Sequence, residues 1–400
     1  MIKNLSFVVF ADDDTDGLCS ARIIYKYLIN MKQPTKVIFQ KWDVFGVTPE
    51  DMNTILSYKP NTVFILDIGS DLTLLNMAEE LLKKNISVII MDNHPPDATI
   101  LTENEMQEFK SKLASLTKYG DKFYYKSTTE SCTTALVYDY VTSHGFEDEM
   151  INRWALIGIE GDVATDKAHS GPIFKELLIS YPFFAGNISF QNKEGEQISW
   201  KLLGFFAQLL HIPRRIIYDD APLLVFDTME EIETLTDWYV IYDIVNKELA
   251  NIQSKRDIIL PKAKYPKLNQ VIENVLVWHR RWKDVMQRGN NVILDYDIAS
   301  ISIIEHPWNV GSALANVRSH IYKKGHFVIN KIPQKGYYIS GRADTSYPIH
   351  IGKVFSMCDK NIIKGGGIKE AGSAKAQIQS IERIINELAF AIKKFASQQA

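Results

Sequence analysis

One stretch near the N-terminus decides how this chain folds: Phe7-Val-Val-Phe-Ala-Asp12-Asp-Asp14-Thr-Asp16-Gly17-Leu-Cys-Ser20-Ala21. Its apolar start is typical of a buried strand in a parallel sheet, because it is short, continuous and bounded by polar residues. Three carboxylates follow at alternate positions (Asp12, Asp14 and Asp16), and Gly17 allows a sharp turn into a helix. They either form a solvated acidic turn that caps this helix or bind a hard divalent cation such as Mg²⁺ or Mn²⁺. Further carboxylates at the ends of later strands favour the explanation that these residues bind a metal ion.

The composition is that of an ordinary globular protein, with 46% hydrophobic and 23% charged residues, and 400 residues predict two or three domains. The formal net charge of −3 means that any basic, nucleic-acid-binding surface must be local. The three cysteines are far apart, which argues against a disulfide framework and a thiolate zinc site and predicts a reducing, cytoplasmic location. No apolar run reaches about 18 residues, so no membrane partner is expected.

The first third of the chain alternates strands with helices. A helix at about 20–31 is followed by predicted strands over 35–40, 61–67 and 86–91, with helices between them. This succession requires right-handed crossovers and predicts an α/β fold, with a doubly wound parallel sheet and helices on both faces. Ligands of such sheets gather beyond the carboxyl ends of the strands, so the chemistry is expected just after each strand.

Polar side chains follow three further apolar stretches: Asp67-Ile-Gly69-Ser70-Asp71, Met91-Asp92-Asn93-His94-Pro95-Pro96 and Gly158-Ile-Glu-Gly161-Asp162. Taken singly, each has a structural explanation, since an aspartate after a strand is often a helix cap and a histidine before prolines is often a turn residue. Together with the first stretch they could supply about six ligands, enough for two metal ions about 3.5–4 Å apart with a bridging carboxylate. The sequence therefore predicts a metal centre at strand ends.

In order and spacing, the four segments resemble the motifs of the DHH phosphoesterase superfamily, in the Asp-x-Asp-x-Asp-Gly form that is typical of RecJ-like nucleases. The resemblance implies two divalent metal ions, with Mn²⁺ preferred or Mg²⁺. The implied metal ligands are Asp12 and Asp14 on one ion, Asp16 and Asp162 on the other, and Asp67 as the bridge between them.

The third motif departs from the family pattern. In the family its first histidine is a metal ligand and its second contacts the phosphate, and the corresponding residues here are Asn93 and His94. We predict both as catalytic residues, although the carbonyl of Asn93 is a weaker metal donor than imidazole. Asp92 is expected to orient its neighbour by hydrogen bonding, and Asp13 is expected to point away from the metals.

Two motifs near the C-terminus are Ser340-Gly-Arg342-Ala343, after a predicted strand, and Lys364-Gly365-Gly366-Gly367-Ile368-Lys369-Glu-Ala371-Gly372, after a predicted loop. A triple glycine either forms a flexible loop or lets backbone N–H groups approach an anion. The pair resembles the signature of the DHH-associated C-terminal domain, where this loop and an upstream Ser-x-Arg hold the substrate backbone. The substrate-binding residues implied by the resemblance are Arg342, Gly365, Gly366 and Gly367. Ile368 replaces the signature histidine.

The remaining segments of the chain give weaker signals of function. A hydroxyl-rich turn over 126–134 opens a helix, and either its own Ser or Thr caps that helix or the helix N-terminus receives a phosphate. Short β-type runs and helices over 309–322 and 374–396 are predicted after a composition change at Gly289. The predicted organisation is a DHH phosphoesterase domain over 1–200, a helical connector over 201–289 and a smaller α/β substrate-binding domain over 290–400.

These expectations define a metal-dependent hydrolase, foremost a RecJ-like single-strand exonuclease that acts on DNA or RNA in repair or replication. Its expected partners are single-stranded nucleic acid and replication or repair proteins. One alternative is a catalytically weak replication scaffold that binds single strands and partner proteins, which Asn93 and Ile368 favour and the complete carboxylate set opposes. The other alternative is a phosphoesterase of small nucleotides or polyphosphate. Affinity for long single strands should be salt-sensitive and affinity for small substrates should not, which would separate the small-substrate alternative from a single-strand nuclease.

Overall fold

The computed structural model describes residues 6–41, 46–94, 103–191, 197–235, 238, 240–241, 244, 261, 263–288, 292–344, 346–367, 369 and 371–399. Five residues named above lie outside the described residues, namely Pro95, Pro96, Gly289, Ile368 and Glu370. The chain divides into two compact units, residues 1–95 with 107–280 and residues 96–106 with 281–400.

The first unit begins with the predicted alternation of strands and helices. Its elements are β1 (Phe7–Ala11), α1 (Thr15–Asn30), β2 (Thr35–Phe39), α2 (Pro49–Ser57), β3 (Thr62–Leu66), α3 (Leu72–Lys83), β4 (Ser87–Asp92), α4 (Glu103–Leu116), β5 (Phe123–Ser127), α5 (Thr133–Ser143) and α6 (Glu149–Gly161). The strands form one sheet in the order β2-β1-β3-β4-β5, and every neighbouring pair is parallel. The predicted parallel sheet is confirmed.

The central strands are apolar because both faces of the sheet are covered. In β1, Val8, Val9 and Phe10 are fully buried, and Val63 and Ile65 of β3 are equally buried beside them. A run of this kind satisfies its backbone in the ladder and buries side chains on both sides, as parallel sheets require. The carboxyl ends of β1, β3 and β4 therefore lie side by side at one edge of the sheet.

One expectation in this unit was wrong in its local structure. The apolar stretch before Asp162 is the end of helix α6 and not of a strand, and Asp162 is the residue that follows the helix. The residues from Trp154 to Ile159 are all buried, so this apolar run has no alternation or helical spacing that would distinguish a helix from a strand.

The remaining elements of the first unit are mostly helical. They are α7 (Ser170–Ser180), the antiparallel pair β6 (Asn187–Gln191) and β7 (Gln197–Lys201), α8 (Leu202–Ile217), α9 (Ala221–Glu233) and α10 (Pro266–Arg288). Helix α10 continues past residue 280 and so carries the chain from the first unit into the second. None of the described helices is both long and apolar enough to cross a bilayer.

The second unit is a smaller α/β domain. Its elements are β8 (Val292–Asp295), β9 (Ala299–Glu305), α11 (Gly311–Tyr322), β10 (Gly325–Ile332), β11 (Gly336–Arg342), α12 (Ile351–Ser356), β12 (Ile363–Gly367), β13 (Ala371–Ala376) and α13 (Ile381–Ser397). The sheet order is β12-β13-β11-β10-β9-β8, with β9 and β10 parallel and the other pairs antiparallel. Phe327, Ile339, Phe355 and Ile392 lie in its buried core. The predicted α/β class is confirmed for both units.

Two expectations in the second unit need correction. The helix predicted over 374–396 begins at Ile381, because the preceding residues form β13. The triple glycine lies in β12 and not in a loop, since Gly365 pairs with Ala374 and Gly367 with Gly372. A Cβ on Gly372 would lie only 2.9 Å from ring atoms of Phe355, so small residues are required where this hairpin packs.

Candidate metal centre

The carboxyl edge of the first sheet carries three groups of side chains whose ligand atoms lie within 4.8 Å of one another. We call them the first, second and third groups. The first group is Asp12, Asp14 and Asp67; the second is Asp16, Cys132 and Asp162; the third is Asp67, Asp92 and His94. The structure thus brings together all five predicted metal ligands and His94 in this unit. Asp67 belongs to the first and third groups but not to the second, so its bridging role between the two predicted ions stays a prediction.

The turn after β1 both caps a helix and faces the centre. Asp14 is the N-cap of α1, and its Oδ1 accepts hydrogen bonds from the backbone N–H groups of Asp16 (2.9 Å) and Gly17 (3.1 Å). A Cβ on Gly17 would lie 2.8 Å from the carbonyl carbon of Asp12, so only glycine allows the chain to turn this closely. Asp14 therefore caps the helix, as one of the two explanations states, and it is also a member of the first group.

Asp67 adopts a backbone conformation that few residues tolerate. Its φ angle is 62°, in the left-handed region, where aspartate and asparagine are accepted more readily than other residues with a Cβ. The side chain is buried, and its Oδ1 accepts a hydrogen bond from Thr133 Oγ1 at 3.0 Å. Conformations of this kind occur at functional sites, where the surrounding structure holds them in place.

The N-terminus of α5 is capped from a distance. The two carboxylate oxygens of Asp16 accept the backbone N–H groups of Thr133 (2.8 Å) and Thr134 (2.7 Å), which begin this helix. Cys132 is the N-cap residue, and its side chain makes no capping hydrogen bond. The turn over 126–134 is therefore a capped helix start, but the expected cap by its own Ser or Thr was wrong, because Asp16 supplies the cap.

Asp92 orients its neighbours, as expected. Its Oδ2 accepts the backbone N–H of Gly69 at 2.6 Å, and its Oδ1 accepts the backbone N–H of His94 at 2.6 Å and lies 3.0 Å from the Nδ1 of the same ring. Partial burial opposes a charge on His94, but the hydrogen bond to Asp92 and the charges of Asp92, Asp162 and Asp14 outweigh it and raise the pKa to about 9. His94 is thus a cation at neutral pH whose side chain is 43% exposed.

Asn93 lies next to the second group. Its side-chain Nδ2 donates to Asp162 Oδ2 at 2.9 Å, and its backbone N–H donates to Thr133 Oγ1 at 3.2 Å. The amide N–H₂ of Asn93 therefore points at Asp162, the carboxylate that is predicted to bind the same metal ion as a histidine at position 93 would. The Asn93 carbonyl oxygen instead faces the Thr133 hydroxyl, at 3.4 Å.

Electrostatics show why these carboxylates need a cation. Burial, and then the charges of Asp162 and Asp14, raise the pKa of Asp16 to about 8. Burial also raises the pKa of Asp67 well above its usual value, and the carboxylates of Asp16, Asp14, Asp12 and Asp92 raise it further. Like charges held together in a desolvated site cannot all ionise unless positive charge compensates them.

Sequence reasoning missed three residues of the centre: Arg214, Lys167 and Cys132. Arg214, on α8, pairs with Asp13 (Nη2–Oδ1, 2.7 Å) and lies 3.9 Å from Asp14. Nothing in the sequence predicted this contact, because Arg214 and the acidic turn are far apart along the chain. Lys167 pairs with Asp162 at 3.2 Å, and the only hint of this was the spacing of two opposite charges five residues apart. Burial and the nearby carboxylates raise the pKa of Cys132 well above its usual value, so its thiol stays protonated.

The first group fits a divalent ion. It offers carboxylate oxygens only, at the edge of the sheet where ligands bind, and Mg²⁺ and Mn²⁺ prefer such donors. The second group fits less well, because Lys167 Nζ and Asn93 Nδ2 both contact Asp162 Oδ2. The donor set of that group also includes a protonated thiol, which is a poor ligand for a hard cation.

The predicted substrate-binding residues lie in the second unit, where they are described on their own. Arg342 ends β11, and its guanidinium donates to the carbonyl oxygens of Gly341 (2.8 Å) and Gly372 (3.2 Å) and to Ser312 Oγ (2.6 Å). These three partners are neutral, and burial lowers the pKa of Arg342 to about 10. Gly365, Gly366 and Gly367 lie in the edge strand β12, so alternate backbone N–H groups there point away from β13.

A stability prediction follows from the packing of α6 behind the centre. A Cβ on Gly158 would lie 2.8 Å from the Cβ of Thr134, so Gly158→Ala should push α6 away from the start of α5 and cost about 1–3 kcal/mol of unfolding free energy. The matched control is Gly204→Ala on α8, where the nearest atom would be Glu160 Oε1 at an ordinary 3.8 Å. Alanine there should be neutral or stabilising by up to about 1 kcal/mol. Urea denaturation of both variants measures the difference, and equal stabilities would contradict the packing argument.

Comparisons with known proteins agree with this geometry. Residues 6–159 match the family model described as DHH family, N-terminal domain. The fold is similar to a DHH domain from a protein described as a member of a family of ribosomal proteins, with a TM-score of 0.59 and 12% identity over 98% of this chain and 87% of that one. It is also similar to exonuclease RecJ bound to manganese, with a TM-score of 0.54 and 14% identity over 97% of this chain and 90% of that one.

RecJ from Thermus thermophilus, in complex with Mn²⁺, gives a TM-score of 0.53 and 14% identity over 97% of this chain and 52% of that one. No curated protein matches the sequence. At these identities the structural similarities show a shared fold, while the family match and the carboxylate groups support a metal-dependent phosphoesterase, a hydrolase. Residues 6–159 match the DHH family's N-terminal domain, and the fold of the chain is similar to that of exonuclease RecJ.

Proposed function

We propose that this protein is a RecJ-like exonuclease that hydrolyses the phosphodiester bonds of single-stranded DNA or RNA with a divalent metal ion. The observation that carries the proposal is the first group, three carboxylates gathered at the carboxyl ends of β1 and β3. The exonuclease RecJ of the same fold is bound to manganese, which supports Mn²⁺, or otherwise Mg²⁺, as the ion here. The coarser activity, phosphoester hydrolysis, is that of the family.

The residues of this chain have separable tasks in the proposed reaction. Asp12, Asp14 and Asp67 would hold the ion, which supplies Lewis-acid stabilisation of the phosphoryl charge and activates water. His94, as a cation, can hydrogen-bond the phosphate oxygen that gains charge in the transition state. Asp92 fixes the orientation of that ring through its Oδ1.

The resemblance predicts a second ion, held by Asp16, Asp162 and the shared Asp67, with Asn93 in the position of a ligand histidine. Thr133 connects two of these side chains, because its hydroxyl contacts both Asp67 and Asn93. The number of ions stays a prediction. So do cytoplasmic location, partnership with replication or repair proteins, and the three-part domain division.

We assign single-strand binding to the second unit. Arg342 carries a charge that its neutral described partners do not compensate, and Ser312, which it contacts, lies in the first turn of α11. A helix N-terminus favours negative charge, and a guanidinium binds phosphate through two parallel hydrogen bonds. A backbone phosphate is therefore the ligand that this group of donors suits best.

The proposal is tested with labelled single strands of DNA and of RNA, each end labelled in turn, in the presence of Mn²⁺. Stepwise shortening from one end, abolished by a chelator, is the expected result. Binding without cutting at any Mn²⁺ concentration would support the replication scaffold instead. Hydrolysis confined to dinucleotides or polyphosphate, with no cutting of longer strands, would support the small-substrate alternative.

A further prediction concerns Arg342. Arg342→Ala should weaken single-strand binding about tenfold or more, since a hydrogen bond to a charged group contributes about 1.5–3 kcal/mol, and should leave hydrolysis of a small chromogenic phosphodiester nearly unchanged. Fluorescence anisotropy measures the binding. Arg383→Ala is the matched control, because Arg383 is an exposed cation on α13 of the same unit. Equal loss on both substrates would place Arg342 in the catalytic centre and contradict the assignment.

A further inference from the structure

The ammonium group of Lys167 contacts Asp162, a member of the second group (Asp16, Cys132 and Asp162). Lys167 Nζ lies 3.2 Å from Asp162 Oδ2 and donates to the backbone carbonyl of Ser131 at 3.0 Å. A lysine side chain is a cation at neutral pH, and the carboxylate of Asp162 beside it favours that charge. It therefore already provides positive charge at the carboxylate that a second metal ion would need.

Three carboxylate oxygens of this group, two of Asp16 and one of Asp162, already accept hydrogen bonds. Each carboxylate oxygen of Asp16 accepts a backbone N–H from the start of α5, and Asp162 Oδ2 accepts the amide of Asn93 as well as Lys167. A divalent ion of this class needs about six oxygen ligands, and an N–H donor aimed at a carboxylate oxygen repels it. Asn93 and Lys167 thus act together, because both donate to the same oxygen atom.

The position of Lys167 is fixed by the segment that carries it. Its backbone N–H donates to Ala164 O, and its carbonyl accepts the N–H of Gly171 at 2.8 Å, at the start of α7. Two residues on, the His169 backbone N–H donates to Glu130 O at 2.8 Å, and its ring joins Ser131 Oγ (2.8 Å) and Asp139 Oδ2 (2.7 Å). These bonds tie the segment to the turn before α5, so the ammonium is held in place before any ligand binds.

The first group differs in this respect. Its nearest cations are both engaged by residues that are not members: His94 contacts Asp92 and lies 3.6 Å from Asp67 Oδ1, and Arg214 pairs with Asp13 and lies 3.9 Å from the closest oxygen of Asp14. Its three members supply carboxylate oxygens without a thiol or an amide among them. One ion can be accommodated there without displacing a lysine.

We propose that Lys167 takes the place of the second divalent ion, so that the centre binds one metal ion, at Asp12, Asp14 and Asp67. This inference rests on the metal dependence of the proposed function but not on the identity of the substrate. The replacement of a ligand histidine by Asn93 then belongs to the same arrangement, since an amide can donate to Asp162 where a metal-binding imidazole nitrogen could not.

The experiment counts ions without substrate. The full chain, stripped of metal, is titrated with Mn²⁺ and followed by isothermal calorimetry, native mass spectrometry and electron paramagnetic resonance. Wild type should bind one Mn²⁺ per chain and give the spectrum of an isolated ion. Lys167→Met, which keeps most of the stem but not the charge, should bind two ions and give the spectrum of a coupled pair. Lys175→Met, at an exposed lysine of α7, is the matched control and should bind one.

A double variant sharpens the test. Adding Asn93→His to Lys167→Met restores an imidazole donor and should strengthen binding of the second ion by about 10–100-fold, the usual effect of changes around a metal ligand. Two ions of similar affinity in wild type would overturn the inference while leaving the proposed nuclease intact, and this outcome needs no variant to fold. The inference would also be overturned if neither Lys167→Met nor the double variant bound two ions. Absence of any bound Mn²⁺ in wild type would remove the metal dependence and both proposals with it.

Discussion

Asp67→Asn is expected to abolish metal-dependent hydrolysis, with a fall in rate of at least about 100-fold. Loss of a residue that merely supports a metal ligand already costs about 10–100-fold, and Asp67 belongs to two of the three groups. The fold should survive, because asparagine has the same shape and also tolerates the left-handed φ of 62°. Without metal the variant should be at least as stable as wild type, since one of several crowded carboxylates is removed.

The matched control is Asp71→Asn, four residues further along the chain. Asp71 caps α3 by accepting the N–H of Leu74 at 2.8 Å, and asparagine caps a helix about as well as aspartate. Its rate should stay close to wild type. The measurement is the initial rate on a labelled single strand over a range of Mn²⁺ concentrations, together with thermal unfolding in a chelator. A near wild-type rate for Asp67→Asn at low Mn²⁺ would show that Asp67 is not a ligand.

The metal-free protein is expected to lose stability as the pH rises from about 4 to about 8. Aspartates whose folded pKa is raised bind protons more tightly in the folded state than in the unfolded state, so their contribution falls once the unfolded chain deprotonates, near pH 4. Asp16, with its pKa raised to about 8, and Asp67 both act in this direction. The raised pKa of His94 also lowers the stability as the pH rises, between the usual histidine pKa of 6.5 and about 9.

Mn²⁺ should reverse this loss, because the ion replaces the protons that the first group holds. At a free concentration 100 times the dissociation constant, a ligand that binds only the folded state adds about 2.7 kcal/mol. Urea denaturation at pH 5, 6, 7 and 8, in a chelator and in Mn²⁺, measures both effects. The gain from Mn²⁺ should be greatest at pH 8 and smaller in Asp67→Asn. A metal-free stability that stays level or rises between pH 5 and 8 would contradict the raised pKa values.

Much of the centre was predictable because it depends on local sequence and one rule of topology. Short apolar runs followed by acids identify strands and their ends, and parallel strands place those ends at one edge. On this basis the acids that follow β1, β3 and β4 could be placed at one edge, while the choice of Asp12, Asp14 and Asp67 as metal ligands came from the family resemblance. The family resemblance then added the roles of Asn93 and His94, which no spacing within the chain shows.

The misplaced elements have physical causes as well. Apolar residues before Asp162 are buried whether the segment is a helix or a strand, so hydrophobicity alone could not separate the two. The triple glycine was assigned to a loop because glycine disfavours strands, but close pairing with β13 outweighs that preference in the hairpin, where a Cβ on Gly365 would clash with the Cβ of Ala374. Tertiary contacts determined the secondary structure of both segments.

By itself, then, the sequence determined the α/β class, the parallel sheet and the acidic edge where an ion can bind. Only the tertiary structure decided which charges compensate those acids. Arg214 reaches Asp13 from α8, Lys167 reaches Asp162 from the segment before α7, and the start of α5 donates two N–H groups to Asp16. The strength of a charge interaction depends on distance in space and on desolvation, and neither is encoded in the spacing of residues along the chain.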